Sequence, residues 1–292
     1  MTLRIGLVGA GPWSRTFHAP MLAAAPDVAL TAVWARRPAA AAELAGEYGG
    51  VAVESFDALL ERCEAVAFAV PPDVQVKLAL RAAEAGKHLL LEKPLAFTLG
   101  DAERLTRAVE DAGVASLVVL RLRFEPAVRS LLARAAAARS LGAQASFLGS
   151  GSLPGEPFAT PWRVERGALL DLAPHVLDLL DAAVGPIGSL SATGDPLRLV
   201  CLTAEHEGGQ VSQAALSITA PGASNALALR VFTDRGELGF DGRQDGSDSA
   251  AGELVAHFAH VVETGERHAL DVRRGLELQR LIDLAEHSLA GH

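Results

Sequence analysis

Apolar positions open the chain as a short continuous run, Leu3-Arg4-Ile5-Gly6-Leu7-Val8, and further such runs recur through about residue 120. Val28 to Trp34, Ala65 to Val70, Lys87 to Leu91 and Val114 to Leu120 have the length and continuity of strands buried on both faces, and Val51-Ala52-Val53 reads as a shorter one. The intervening segments carry helix punctuation. Phe17 to Ala25 ends at Pro26-Asp27, and Pro38 to Tyr48 stops at Gly49-Gly50. Ser55 is placed to cap residues 56–62, Asp73 to cap a helix that closes at Gly86, and Gly100 to Gly113 forms a further helix. Strand and helix in strict alternation predict a doubly wound parallel sheet over residues 1–120.

The pattern changes after Arg121-Leu122-Arg123-Phe124-Glu125-Pro126. Residues 127–139 read as an Ala-rich helix, Ala143 to Leu148 as a strand, and Gly149 to Pro161 as a Gly/Pro-rich loop. Gly167 to Ala183 has helical periodicity, with Pro174 as the expected kink or true start. Leu197 to His206, Gln210 to Thr219, Asn225 to Thr233 and Glu237 to Phe240 then alternate between turns, which predicts a meander of antiparallel strands. Asp241 to Ser249 reads as a mobile polar loop. Helices at about 250–264 and 272–290 close the chain, the second capped by Asp271. Residues 121–292 are therefore expected to form an α+β domain with a large, mostly antiparallel sheet. Its C-terminal helices are able to pack back on the first domain.

Composition narrows the partners. The chain of 292 residues has a net charge of −9 and no basic block, which disfavours nucleic acid and anionic membrane as partners. No apolar run approaches the ~20 residues of a membrane span. The folding pattern begins by Leu3, with no room for a signal peptide, so the expectation is a soluble cytoplasmic protein. Cys63 and Cys201 form neither a disulfide framework nor a metal set, and His206, His257, His260, His268, His287 and His292 show no ligand spacing, so no metal is assigned.

Chemistry enters at the end of the first run. Gly9-Ala10-Gly11-Pro12-Trp13-Ser14 is a G-x-G-x-x-S turn between a strand and a helix, the setting of a Rossmann-type dinucleotide site. Gly9 allows the turn, Gly11 lets backbone approach a pyrophosphate, and Pro12, Trp13 and Ser14 open the helix beneath it. The tip of the second strand carries Ala35-Arg36-Arg37 where an NAD site normally places an acid for the ribose 2′-hydroxyl. Two guanidiniums suit a 2′-phosphate instead, so NADP(H) is favoured, with NAD(H) possible; the plain alternative is a solvated loop. Pro71 ends the fourth strand at the ligand edge. The fifth strand delivers Glu92-Lys93-Pro94 to the same edge, either as an ammonium aimed at substrate or as a solvated lysine. Further on, Asp171 and His175 share a helix face with Asp178 nearby. An aspartate beside a histidine stabilises the imidazolium and suits proton transfer near neutrality; a helical pair without chemistry fits the same spacing.

These pieces together resemble the Gfo/Idh/MocA oxidoreductases, the glucose–fructose oxidoreductase and inositol dehydrogenase group. Gly9-Ala10-Gly11, Ala85-Gly86-Lys87-His88 leading to Glu92-Lys93-Pro94, Arg123-Phe124 with Pro126, and Gly167 through Asp171 to His175 carry the resemblance. It implies hydride transfer between a nicotinamide cofactor and a carbinol or carbonyl carbon of a sugar, polyol or derivative, in a homodimer or homotetramer assembled through the antiparallel sheet. It makes Lys93, Asp171 and His175 the catalytic set, while the residues read above leave Gly9, Gly11, Pro12, Trp13, Ser14, Arg36, Arg37, Pro71, Glu92 and Lys93 as the candidate cofactor contacts. Arg123, Trp162 and Arg163 are candidate substrate contacts, and Arg163 with Arg166 could favour an anionic substrate. The sequence departs from the family's pattern: Glu165-Arg166 precede Gly167 where a glycine cluster is usual, the connection from Trp162 is short, Gln75 replaces a common histidine, and the chain is shorter than many members. A catalytically silent cofactor-binding sensor or partner subunit is the alternative that these departures permit.

Overall fold

The computed structural model describes residues 2–244 and 249–291. The chain divides into two units, residues 1–119 with 251–277 and residues 120–250 with 278–292. Each unit holds one six-stranded sheet.

In the first unit β1 (Leu3–Val8) leads through a π-type helical turn, Ser14–His18, into α1 (Ala19–Ala24). There follow β2 (Val28–Trp34), α2 (Pro38–Tyr48), β3 (Val51–Ala52), α3 (Phe56–Leu60), β4 (Ala65–Phe68), α4 (Pro72–Glu84), β5 (His88–Leu91), α5 (Leu99–Ala112) and β6 (Ser116–Val118). The strand order is β3-β2-β1-β4-β5-β6, with all pairs parallel. The order reverses between β1 and β4, and ligands of open parallel sheets bind at such a switch point. Ile5, Leu7, Ala65 to Phe68 and Leu89 to Leu91 are wholly buried, as covered faces on both sides require. Ser55 Oγ and Thr98 Oγ1 cap α3 and α5 by accepting from Ala58 and Asp101 N–H. Asp73 does not cap α4. Pro71 takes that position with Pro72 as the first helical residue, where its missing N–H is no loss.

The second unit opens with a 3₁₀ turn, Arg121–Phe124, and α6 (Pro126–Ala136). Then come β7 (Ser140–Leu148), α7 (Pro161–Val184), β8 (Ile187–Asp195), β9 (Leu199–His206), β10 (Val211–Ser217), β11 (Ala226–Thr233) and β12 (Gly236–Asp241). The chain ends with α8 (Ala250–Thr264) and α9 (Val272–Ala290). The sheet order is β12-β11-β7-β10-β9-β8. The expected meander is thereby corrected: β7 lies between β10 and β11 and pairs parallel with β10, while every other pair is antiparallel. Strand β8 was not legible in the sequence. Only Leu190 and Ala192 of it are buried, so its alternation is nearly mute. Ala143, Phe147, Leu202, Leu216, Leu229 and Val231 lie buried along the sheet, and α7 packs on β7, β9 and β10. Gln144, Cys201, Gln213 and Arg230 alternate with them and stay exposed.

The expected helix at Gly167 begins earlier, at Pro161, and its break is at Gly167 rather than Pro174. Gly167 has φ 73°, and a Cβ there would strike the carbonyl of Pro196. Ala168 N–H donates to that carbonyl at 2.8 Å, so the helix restarts against the β8–β9 turn. The segment of 241–249 expected to be mobile lies partly outside the described residues, as does His292. Residues 251–277 belong to the first unit, where Val118 N–H donates to Leu270 O at 2.8 Å and Val272 N–H to Ser116 Oγ at 3.1 Å. Among the described residues no helix is long and apolar enough to cross a membrane.

Candidate active site

The first unit gathers its candidate residues at the carboxyl ends of β1, β2, β4 and β5. Gly9 has φ 112°, and a Cβ would collide with the backbone of Ala69, so only glycine fits between β1 and β4. Above Gly11 a Cβ would meet nothing within 4 Å. The third glycine of the fingerprint is replaced by Ser14, which is fully buried and donates from Oγ to Gly9 O at 2.8 Å. The serine thus ties the turn to its own helix. A cleft of about 320 Å³ runs over Gly9 to Gly11, is walled by Val70 and Pro71, and ends at Arg36 and Arg37. Both arginines are exposed, and among the described residues neither has a carboxylate partner. This open floor, with cationic groups at one end, fits a dinucleotide.

Beside the cleft, Glu92 is a buried hub. Its Oε1 accepts from Trp13 Nε1 at 2.6 Å and pairs with His18 Nε2 at 2.7 Å, and its Oε2 accepts from Lys93 N–H at 3.2 Å. Trp13 stacks on Phe17 at 4.7 Å between centroids, and His18 meets both rings edge-on. Trp13 and Glu92, expected as separate cofactor contacts, are therefore partners of each other. His18 was missed by sequence reasoning; its spacing after Trp13 marks nothing until the helix packs against β5. It is wholly buried, and its Nδ1 has no hydrogen-bond partner among the described residues. Gln75 is also wholly buried and bonds the backbone of the Glu92–Leu95 turn. Lys93, half-buried, leaves this turn just before a cis Pro94.

The second unit arranges its candidates on and around α7. Asp171, His175 and Asp178 lie on one helix face and are 9%, 7% and 1% exposed. Each carboxylate has a guanidinium. Arg163 Nε donates to Asp171 Oδ2 at 3.1 Å, and Arg123 Nη1 donates to both oxygens of Asp178 at 3.1 and 3.3 Å. Arg163 is further fixed by Thr160 Oγ1 at 3.3 Å and by the Trp162 ring, 4.5 Å from its guanidinium carbon. The structure thus amends two expectations. Arg163 is already paired with a buried aspartate, and Asp171 has Arg163 as a partner beyond the helical neighbour expected for it. Burial holds the Glu286 carboxyl above its ordinary value, with the charge of Arg166 opposing. His206, by contrast, is structural: its ring nitrogens reach Gly185 O at 2.6 Å and Ser212 Oγ at 2.8 Å.

Residues 3–120 match the family described as "Oxidoreductase family, NAD-binding Rossmann fold", GFO_IDH_MocA. Over these residues the chain is similar to the Gfo/Idh/MocA oxidoreductases. The levoglucosan dehydrogenase of Pseudarthrobacter phenanthrenivorans is 33% identical over 136 residues, 44% of this chain and 34% of that protein. The dTDP-3,4-didehydro-2,6-dideoxy-alpha-D-glucose 3-reductase of Streptomyces violaceoruber is 31% identical over 191 residues, 63% of this chain and 55% of that one. The match thus spans between about a third and just over half of these relatives. A solved levoglucosan dehydrogenase in complex with NADH and L-sorbose has the same fold, with a TM-score of 0.89 at 20% identity, covering 100% of this chain and 98% of that one. The departure at Gln75 is no vacancy, because the amide satisfies three backbone groups of the turn that carries Lys93.

Proposed function

We propose that this chain is a nicotinamide-dependent dehydrogenase or reductase that uses NADP(H) and interconverts a carbinol and a carbonyl on a small polar substrate, a sugar, polyol or derivative. The observation that carries this reading is Lys93, delivered at the carboxyl end of β5 by a turn whose neighbours Glu92 and Gln75 are buried and fully engaged. The named relatives act on levoglucosan and on a dTDP-linked deoxy sugar, which supports the substrate class.

Gly9, Gly11, Pro12, Trp13, Ser14 and Pro71 hold the dinucleotide diphosphate, and Arg36 and Arg37 take the 2′-phosphate with their planar forks. The bound cofactor supplies the hydride acceptor or donor. His175 takes the proton from the substrate hydroxyl during oxidation and returns it during reduction. Asp171, held by Arg163, orients the imidazole. Lys93 donates a hydrogen bond to the substrate oxygen and stabilises the negative charge that develops there. Arg123, Trp162 and Arg163 shape the substrate side. The exposed face of the second unit's sheet, around Gln144, Cys201, Gln213 and Arg230, serves self-association into a dimer or tetramer.

The test is a panel of sugars, polyols and sugar acids offered with NADP⁺ and NAD⁺ in turn, followed by Lys93→Met on any substrate found. Lys93→Met keeps the stem and removes the ammonium, so cofactor binding persists while turnover falls by about 10²–10³. Wild-type turnover in the variant defeats the assignment. Cofactor binding with no turnover anywhere in the panel favours the silent sensor.

A further inference from the structure

Gln75 is a buried polar side chain that the reaction does not use. It lies in the first turn of α4, where its N–H donates to Pro71 O at 2.8 Å. Pro71 and Val74, beside it, line the dinucleotide cleft. Its side chain is 0% exposed and points at the turn after β5. There Oε1 accepts from Glu92 N–H at 2.8 Å, and Nε2 donates to Glu92 O at 2.9 Å and to Leu95 O at 3.2 Å. The first two bonds make the amide a surrogate peptide, paired with Glu92 as one strand pairs with the next. The third reaches over Lys93 and Pro94 to the far side of the turn. The backbone on both sides of the lysine is therefore tied to the helix that walls the cleft.

We infer that Gln75 is the positioning residue for Lys93: its amide sets the direction in which the ammonium leaves the strand end and couples that direction to the cleft wall. A catalytic donor a single ångström out of place loses about 10²-fold in rate, and the four-carbon stem of lysine corrects no error in its own backbone. Only an amide does this at position 75. An aliphatic side chain leaves one N–H and two carbonyls buried without partners, and a carboxylate offers acceptors to two carbonyls.

The chain contains three lysines, Lys77, Lys87 and Lys93, which makes a direct readout feasible. Reductive methylation with ¹³C-formaldehyde gives three dimethyl-lysine NMR signals, each assigned by its Lys→Arg variant. Lys77 is exposed, and Lys87 Nζ donates to Cys63 O at 2.9 Å, so the two serve as internal references. In Gln75→Met, which conserves volume, the Lys93 signal should collapse toward that of Lys77 while the Lys87 signal stays in place. Turnover should fall by about 10- to 100-fold, mainly in kcat, with the NADP(H) dissociation constant within a few-fold of wild type. Gln75→Glu covers the case in which Gln75→Met does not fold. Its protonated carboxyl keeps an acceptor and a donor, so the Lys93 signal should be wild-type at low pH and collapse as the carboxyl ionises. An unchanged Lys93 signal in Gln75→Met, or in Gln75→Glu at every pH, overturns the inference, whatever the loss of stability. The kinetic arm rests on the role proposed for Lys93, whereas the NMR arm does not. If the signal moves as expected and Lys93→Met keeps full turnover, the clamp stands and the catalytic role falls.

Discussion

His18 Nε2 and Glu92 Oε1 lie 2.7 Å apart, with side-chain exposures of 0% and 9%, although 74 residues separate them in the chain. Trp13 donates to the same oxygen at 2.6 Å. The carboxylate therefore joins the helix that follows the glycine turn to the strand that presents Lys93. Glu92→Leu removes the partner oxygen of a wholly buried ring nitrogen and of a half-buried indole N–H, and a buried group left unsatisfied costs about 1–3 kcal/mol. Glu92→Gln keeps an acceptor oxygen and should lose markedly less. Urea denaturation of both variants checks the order, and equal losses would make the hub a matter of packing alone.

We propose that Arg36 and Arg37, which line the cleft, set the choice of cofactor. NADP(H) should bind more tightly than NAD(H), and Arg36→Ala should weaken NADP(H) by about 10- to 150-fold, the worth of one charge-assisted contact. NAD(H) should change little. Calorimetry with both cofactors decides it; equal affinities in the wild type defeat the reading.

The proton-transfer group should reveal itself in the pH dependence of rate more than in the size of a loss. His175→Asn should lower turnover by about 10²–10⁴ and remove the ionisation near neutral pH. Asp171→Asn should have a smaller effect and move that ionisation to lower pH, since an amide no longer favours imidazolium. Arg163→Gln should move it the other way, because Asp171 then acts without its compensating cation. A wild-type profile in all three would leave the cluster structural.

His88 supplies a pH dependence of stability. Burial holds its pKa below the ordinary value of 6.5, with the charge of Glu64 opposing, and its Nδ1 accepts from Ala115 N–H at 3.0 Å. The folded state therefore needs the neutral ring, and on acidification the unfolded chain takes up the proton first. The contribution is complete above about pH 6.5 and is lost as pH falls from there toward the depressed folded value. His88→Asn keeps an acceptor near the Nδ1 position and cannot titrate. Thermal melts between pH 7.5 and 5 should show a shallower decline in the variant, and parallel declines would remove His88 as the cause.

Self-association is tested by mass. Light scattering at micromolar concentration with cofactor present should give a dimer or tetramer. A charge introduced on the exposed sheet face, Gln213→Glu, should shift the mass toward the monomer. A monomeric wild type ends this proposal.

The first sheet was legible in the sequence because its strands are buried on both faces, so each announces itself as an unbroken apolar run closed by Gly or Pro. Lys93 and the glycine turn were legible for a related reason: they sit at strand ends, where chain order and spatial order coincide. In the second unit, alternation revealed the strands with a buried face but not β8, which buries only Leu190 and Ala192. Nor could local pattern place β7 between β10 and β11, since that pairing joins segments far apart in sequence. The tertiary structure alone decided the partners of the polar residues. Glu92 has Trp13 and His18, Gln75 has the backbone around Lys93, and Asp171 and Asp178 each have an arginine. The spacing of residues along one element determines which side chains share a face. Which buried charge or amide is satisfied by which distant donor depends on how separate elements pack, because desolvation makes an unpaired group costly only once the fold has closed around it.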